Sequence, residues 1–203
     1  MSASAIALLI LLGLVVLSVG SIIITTLRTG TPPMPTSPVV LTTVVAALRT
    51  ALSRAGAGSG AAGGRPLLLD GGSGWGTLLV TLAEAFPELR VEGIERSAVP
   101  CLFSRLRLAL SRRLRRLRRE AERPAGAVRV RCGDLFTAGL EDADILLVYL
   151  SGPHMERLAR ESTALPPVVV SIAFALPGYP PQTTLRAPDI YRTPVYVYQT
   201  DQS

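Results

Sequence analysis

The chain has 203 residues, 48% of them hydrophobic, and a formal net charge of +6. All 21 basic residues are Arg, which excludes a phosphate loop of the kind that needs a Lys. Two Cys and one His exclude a zinc cluster or a His-rich site, and no metal is expected.

Residues 5–27, AIALLILLGLVVLSVGSIIITTL, carry no charge over 23 positions. At 1.5 Å per helical residue such a stretch can span a hydrocarbon core about 30 Å thick. It lacks the basic leader and small-residue cleavage site of a signal peptide, so a retained single-pass transmembrane anchor is expected. Arg28, Arg49 and Arg54 follow the span, and nothing basic but the terminal amine precedes it. The positive-inside rule then places the following domain in the cytoplasm, at the plasma (inner) membrane.

Residues 28–65 read as a Pro-rich connector, a helix and a Gly-rich linker. In the helix, over 37–54, Ser37 suits the N-cap and Pro38 the first turn. Apolar residues at 41, 44, 45, 48 and 52 share one of its faces. The main domain is expected over 66–203. Its strands are expected at 66–70, 89–95, 127–134, 143–150, 167–176 and 195–199, with helices at 75–86, 98–122 and 154–162. This alternation argues for an α/β fold, an open and mostly parallel sheet wrapped by helices.

The helix over 98–122 carries eight Arg between 105 and 119. Leu102, Leu106, Leu110, Leu114 and Leu117 recur at helical spacing, so an apolar face toward the sheet and a cationic outer face are expected. That outer face, over 104–119, suits anionic membrane lipid. No aromatic platform accompanies it, so nucleic acid is not expected as a partner. Cys101 and Cys132 stand far apart in sequence and have neither metal nor redox spacing.

The stretch LLLDGGSGWGTLL, residues 67–79, ends an apolar strand in an acid and enters a glycine loop. Ligands in open α/β sheets sit at the carboxyl ends of the strands, where such loops lie. The dinucleotide pattern G-x-G-x-x-G fails, because Thr77 stands where its third glycine would be. The spacing is D-x-G-x-G-x-G: Asp70, Gly72, Gly74 and Gly76. Glu95 ends the second strand, where a carboxylate can accept from ribose hydroxyls. Asp134 follows the third strand. The competing reading of both acids is a solvated strand end, or for Glu95 an ion pair with Arg96.

These residues resemble motif I and the following acids of the class I (seven-β-strand) S-adenosylmethionine-dependent methyltransferases. The resemblance implies a Rossmann-like, mostly parallel seven-stranded sheet with S-adenosyl-L-methionine as cofactor. It also implies that Glu95 meets the ribose and Asp134 the adenine amino group. Further segments resemble the membrane-anchored lysine methyltransferases of the adenine nucleotide translocase and the ATP synthase c subunit. They are PPMPTS (32–37), GPHMERL (152–158), FALPGYPP (174–181) and TPVYVYQ (193–199). A protein substrate with a target lysine, in or near the membrane, is what that likeness implies. Two departures fall where substrate would approach: Tyr149-Leu-Ser-Gly replaces the family's Phe-Gly, and Tyr179 replaces its Trp.

Methyl transfer to an amine needs alignment and a neutral nucleophile in a partly dry site. Tyr149, Ser151, Phe174 and Tyr179 are candidates to line that site, with core packing as the alternative for the aromatics. His154 suits a capping or surface role better than a general base, and Trp75 is expected to pack on the sheet. Two other functions remain open: methylation of a lipid or small molecule at the bilayer, and a non-catalytic membrane adaptor that keeps the fold.

Overall fold

A computed structural model describes residues 2–29, 36–54, 64–117, 127–162 and 164–200. The chain forms two compact units, Met1–Met34 and Pro35–Ser203.

The first unit holds helix α1, Ala3–Thr29. Among the described residues no helix is long and apolar enough to cross a membrane. The transmembrane span expected over 5–27 is therefore not established by the fold.

The second unit begins with α2, Pro38–Arg54. Ser37 caps it as expected: the Val40 N–H donates to Ser37 Oγ at 3.3 Å. There follow β1 (Leu67–Gly71), α3 (Thr77–Ala85), β2 (Arg90–Glu95), α4 (Ala98–Leu117) and β3 (Ala127–Cys132). A single 3₁₀ turn at Leu135–Thr137 leads to β4 (Ile145–Val148), α5 (Gly152–Glu161), β5 (Val168–Ile172), β6 (Thr183–Arg186) and β7 (Pro194–Gln199). The end of the helix expected over 98–122, residues 118–122, lies outside the described residues.

The strands form one seven-stranded sheet in the order β3-β2-β1-β4-β5-β7-β6. The β3, β2, β1, β4 and β5 ladders are parallel, and β7 runs antiparallel to both β5 and β6. The central strands are buried on both faces, which explains their nearly continuous apolar runs. Alternate residues serve opposite layers: Leu68, Leu147 and Val170 pack with α2 and α3, while Leu69, Leu146 and Val169 pack with Met155 and Leu158 of α5. Val44, Ala47, Leu48 and Ala51 of α2 belong to the first layer, so this helix is part of the core.

Strand β6 was not expected from the pattern. It is a four-residue edge strand with a half-exposed alternation, held by its hairpin with β7.

Helix α4 reverses the expected orientation. Leu102, Leu106, Leu110 and Leu114 are exposed by 69%, 63%, 54% and 42%, while Cys101, Ser104 and Leu108 are buried against the sheet. The side chains of residues 115–119, Leu117 included, lie outside the described ones. Three sets of contacts set this rotation. Cys101 and Cys132, far apart in sequence and without metal or redox spacing, form a disulfide with Cα atoms 5.7 Å apart. Ser104 Oγ donates to Gly74 O at 2.7 Å. Arg105 and Arg112 donate to the Val130 and Val128 carbonyls on the free edge of β3. Those carbonyls have no further strand to pair with, and guanidinium donors satisfy them.

Candidate functional site

The strand order reverses between β2-β1 and β4-β5, so the loops leaving β1 and β4 diverge at the carboxyl edge. Asp70 lies inside β1, paired to Gly93 and Leu147, and is buried. The loop then turns through Gly72, Gly74 and Gly76 at φ of 83°, 53° and 72°. A side chain is strained in that left-handed region, which is why glycine recurs. The Gly72 and Ser73 N–H groups both donate to Ile94 O, at 2.9 and 3.0 Å, and so pin the loop to β2. Gly76 closes the loop as the N-cap of α3.

Glu95 sits where β2 ends. Its Oε2 accepts from the Gly74 N–H at 2.9 Å, and its Oε1 from the Ser97 N–H at 2.7 Å. Each oxygen keeps a lone pair for one more donor. The Gly133 N–H donates to Glu95 O at 3.0 Å, which brings the exit of β3 beside the exit of β2. Asp134 then caps the 3₁₀ turn through Phe136 N–H at 3.1 Å. Its other oxygen lies 3.7 Å from Arg96. Arg96 thus pairs with Asp134 rather than with Glu95.

Asp70 is the electrostatic centre of the site. Burial, and next the charge of Glu95, push its carboxyl from 3.8 up to about 7. Its Oδ2 has no hydrogen-bond partner among the described residues. A buried acceptor left in that state suits a ligand that brings a cation or an N–H to it.

The remaining candidates are spread along the same edge. Tyr149 leaves β4 and packs on the α2 and α3 layer. Burial, and next the Asp189 carboxylate, raise its hydroxyl pKa. Ser151 caps α5, and its Oγ lies 2.8 Å from His154 Nδ1. His154 in turn stacks on Phe136 at 6.4 Å. Phe174 is 40% exposed beyond β5, next to Ala173 at φ 68°. Tyr179 packs on the opposite layer from Tyr149. These four residues therefore share an edge but do not form one cluster. Trp75 meets the ring of Phe103 edge-on at 5.2 Å, so its ring packs on α4.

Two positioning residues escaped the sequence reading. Ser104 holds the glycine loop from α4, and its signal was faint: a small polar residue three positions after Cys101. Asp189 anchors the turn between β6 and β7 by accepting from Thr193 N and Oγ1 at 2.8 and 2.6 Å. That turn presents Ile190 and Tyr191 to solvent at the same edge as Phe174.

The architecture is a Rossmann-like α/β fold, one seven-stranded sheet flanked by helices, and solved structures similar to it are methyltransferases. The chain is similar to an RNA methyltransferase from Salinibacter ruber in complex with S-adenosyl-L-homocysteine, with a TM-score of 0.54 and 24% identity, over 84% of this chain and 95% of that one. It is also similar to the methyltransferase domain of bacterial CtHen1-CN, with a TM-score of 0.54 and 14% identity, over 79% of this chain and 97% of that one. At these identities the likeness is one of fold. No protein-family model and no curated protein matches the chain.

Proposed function

We propose that the chain is an S-adenosyl-L-methionine-dependent methyltransferase, held at a membrane by α1, that methylates a lysine of a membrane or membrane-proximal protein. The observation that carries the cofactor part is the Glu95 carboxylate, bonded to the Gly74 N–H beside the orphaned Asp70 Oδ2. The residues fit the group: Gly72 and Gly74 leave the loop backbone open, Gly76 lets the loop close against Ser104, and Glu95 and Asp134 offer acceptors at successive strand ends. Asp70 offers a buried acceptor for a cationic group of the ligand. The cofactor, when bound, supplies a methyl group on a sulfonium.

The chain's own work is alignment. The glycine loop and Glu95 orient the cofactor along the carboxyl edge. Tyr149, Ser151, Phe174 and Tyr179 would border the path of the acceptor amine. The amine must arrive neutral, and a partly desolvated edge favours its loss of a proton. The methylated amine would then shed its proton to solvent at the carboxyl edge.

The lysine reading rests on the segments at 32–37, 152–158 and 174–181. The membrane reading rests on the uncharged run at 5–27. Cytoplasmic placement rests on Arg28, Arg49 and Arg54, and the Cys101–Cys132 disulfide pulls against it, because cytosolic thiol pools keep such pairs reduced. Alkylation under denaturing conditions after acid quenching of cells reads the redox state: two free thiols would support the cytoplasm, and a bridged pair would overturn it.

Calorimetry with S-adenosyl-L-methionine on the full chain and on Gly74→Arg tests the cofactor, and no heat from the wild type would sink the reading. Radiolabelled cofactor with native membranes then locates the acceptor. Label in a protein band that lysine blocking removes supports protein-lysine methylation. Label in the organic extract points to a lipid, and none at all to an adaptor.

A further inference from the structure

The outward face of α4 is the largest feature that the catalytic reading leaves unused. Val99, Leu102, Phe103, Leu106, Leu110 and Leu114 are all exposed and recur every three or four residues, so they line one side of the helix. Arg107 and Arg113, also exposed, fall on its two flanks by the same helical spacing. No acidic residue occurs anywhere in Ala98–Leu117. An apolar stripe between cationic flanks is the pattern of a helix that lies in the plane of a bilayer surface.

We propose that α4 is an interfacial helix that seats the second unit on an anionic phospholipid surface. The Leu stripe enters the boundary between headgroups and acyl chains. Arg107 and Arg113 meet the lipid phosphates on either side. Charge complementarity selects lipid: with no carboxylate on the helix, every charged partner it can satisfy is anionic, and the stripe between is purely hydrocarbon.

The seating has a consequence for the site. Phe103 of the stripe contacts Trp75, and Ser104 on the inner face holds Gly74. The glycine loop therefore lies directly behind the seated helix. Lipid contact on one side of α4 is one side chain away from the loop on the other.

Trp75 is the only tryptophan and reports on this directly. The full chain is reconstituted in vesicles of phosphatidylcholine alone or mixed with phosphatidylglycerol, each containing lipid brominated high in the acyl chain. Because α1, on the proposed function, would hold the chain to either bilayer, the readout is the lipid dependence of Trp75 quenching. Quenching is expected to be about fivefold or more stronger with the anionic lipid, since each Arg near such a surface favours it by about that factor. The double variant Leu106→Glu/Leu110→Glu is expected to lose the difference. Should that variant fail to fold, Arg107→Glu/Arg113→Glu keeps the stripe and is expected to lose the anionic preference. Equal quenching in both vesicles, or quenching unchanged by a folded variant, overturns the proposal. So does a lipid-independent dimer that the Glu variant dissolves, because the occupant would then be a second copy of the chain.

Discussion

The Gly74 N–H donates to Glu95 Oε2 across 21 residues of sequence, at 2.9 Å. The bond ties the centre of the glycine loop to the end of β2. The residue proposed to meet the ribose thus also shapes the loop that would cradle the rest of the cofactor.

Replacing Glu95 by Gln keeps the size but removes the charge from two backbone hydrogen bonds. A ribose hydroxyl bonded to the charged acceptor would contribute about 1.5–3 kcal/mol, so a loss of at least about tenfold in S-adenosyl-L-methionine affinity is expected. Calorimetry measures it, and an unchanged dissociation constant would remove Glu95 from the site.

Gly76→Ala is expected to destabilise the fold rather than the ligand. The residue sits at φ 72°, and a Cβ there would come within 2.9 Å of Ser104 Oγ. The left-handed conformation alone costs roughly 1–2 kcal/mol. A fall of roughly 5 °C in the melting temperature follows for a chain of this size. A melting curve that overlays the wild type would show that the loop relaxes freely.

Asp70 makes stability depend on pH in an unusual direction. Its folded carboxyl titrates at about 7 rather than 3.8, so between those values the folded state holds a proton that the unfolded state has lost. Stability then falls as pH rises from about 4 to about 7, by up to roughly 4 kcal/mol, and levels off above. Asp70→Asn is expected to flatten that slope, read from urea unfolding across the range. A pH slope that Asp70→Asn leaves unchanged would refute the assignment to Asp70.

The Cys101–Cys132 bridge closes 31 residues of chain, for which loop entropy predicts about 3–4 kcal/mol. Reduction is expected to lower stability by about that amount. It is also expected to weaken cofactor binding, since Cys132 immediately precedes Gly133 and Asp134. Calorimetry on reduced and oxidised protein separates the two effects. Equal affinity in both states would make the bridge a purely structural tie.

The strand alternation and the motif were legible because both are local. Asp70, the three loop glycines and Glu95 keep their positions in the structure, and five parallel strands follow the apolar runs that announced them. Strand β6 was not legible, since four half-exposed residues carry too little pattern and depend on β7 for their bonds. The candidate substrate residues were legible as a set at one edge, but not as a cluster. Tyr149 and Tyr179 belong to opposite layers, which no spacing reveals.

What the sequence by itself determined is the alternation of the main strands and helices and the positions of the glycine loop. Both follow from backbone preference and apolar period within short windows. Only the tertiary structure decided which side of α4 faces water. Its leucine stripe is the more apolar side, and local pattern alone turns it inward. The disulfide to Cys132, the Ser104 bond to Gly74, and the arginines on the β3 edge turn it outward. Each of those contacts joins residues distant in sequence, and their combined geometry outweighs the periodicity of the helix.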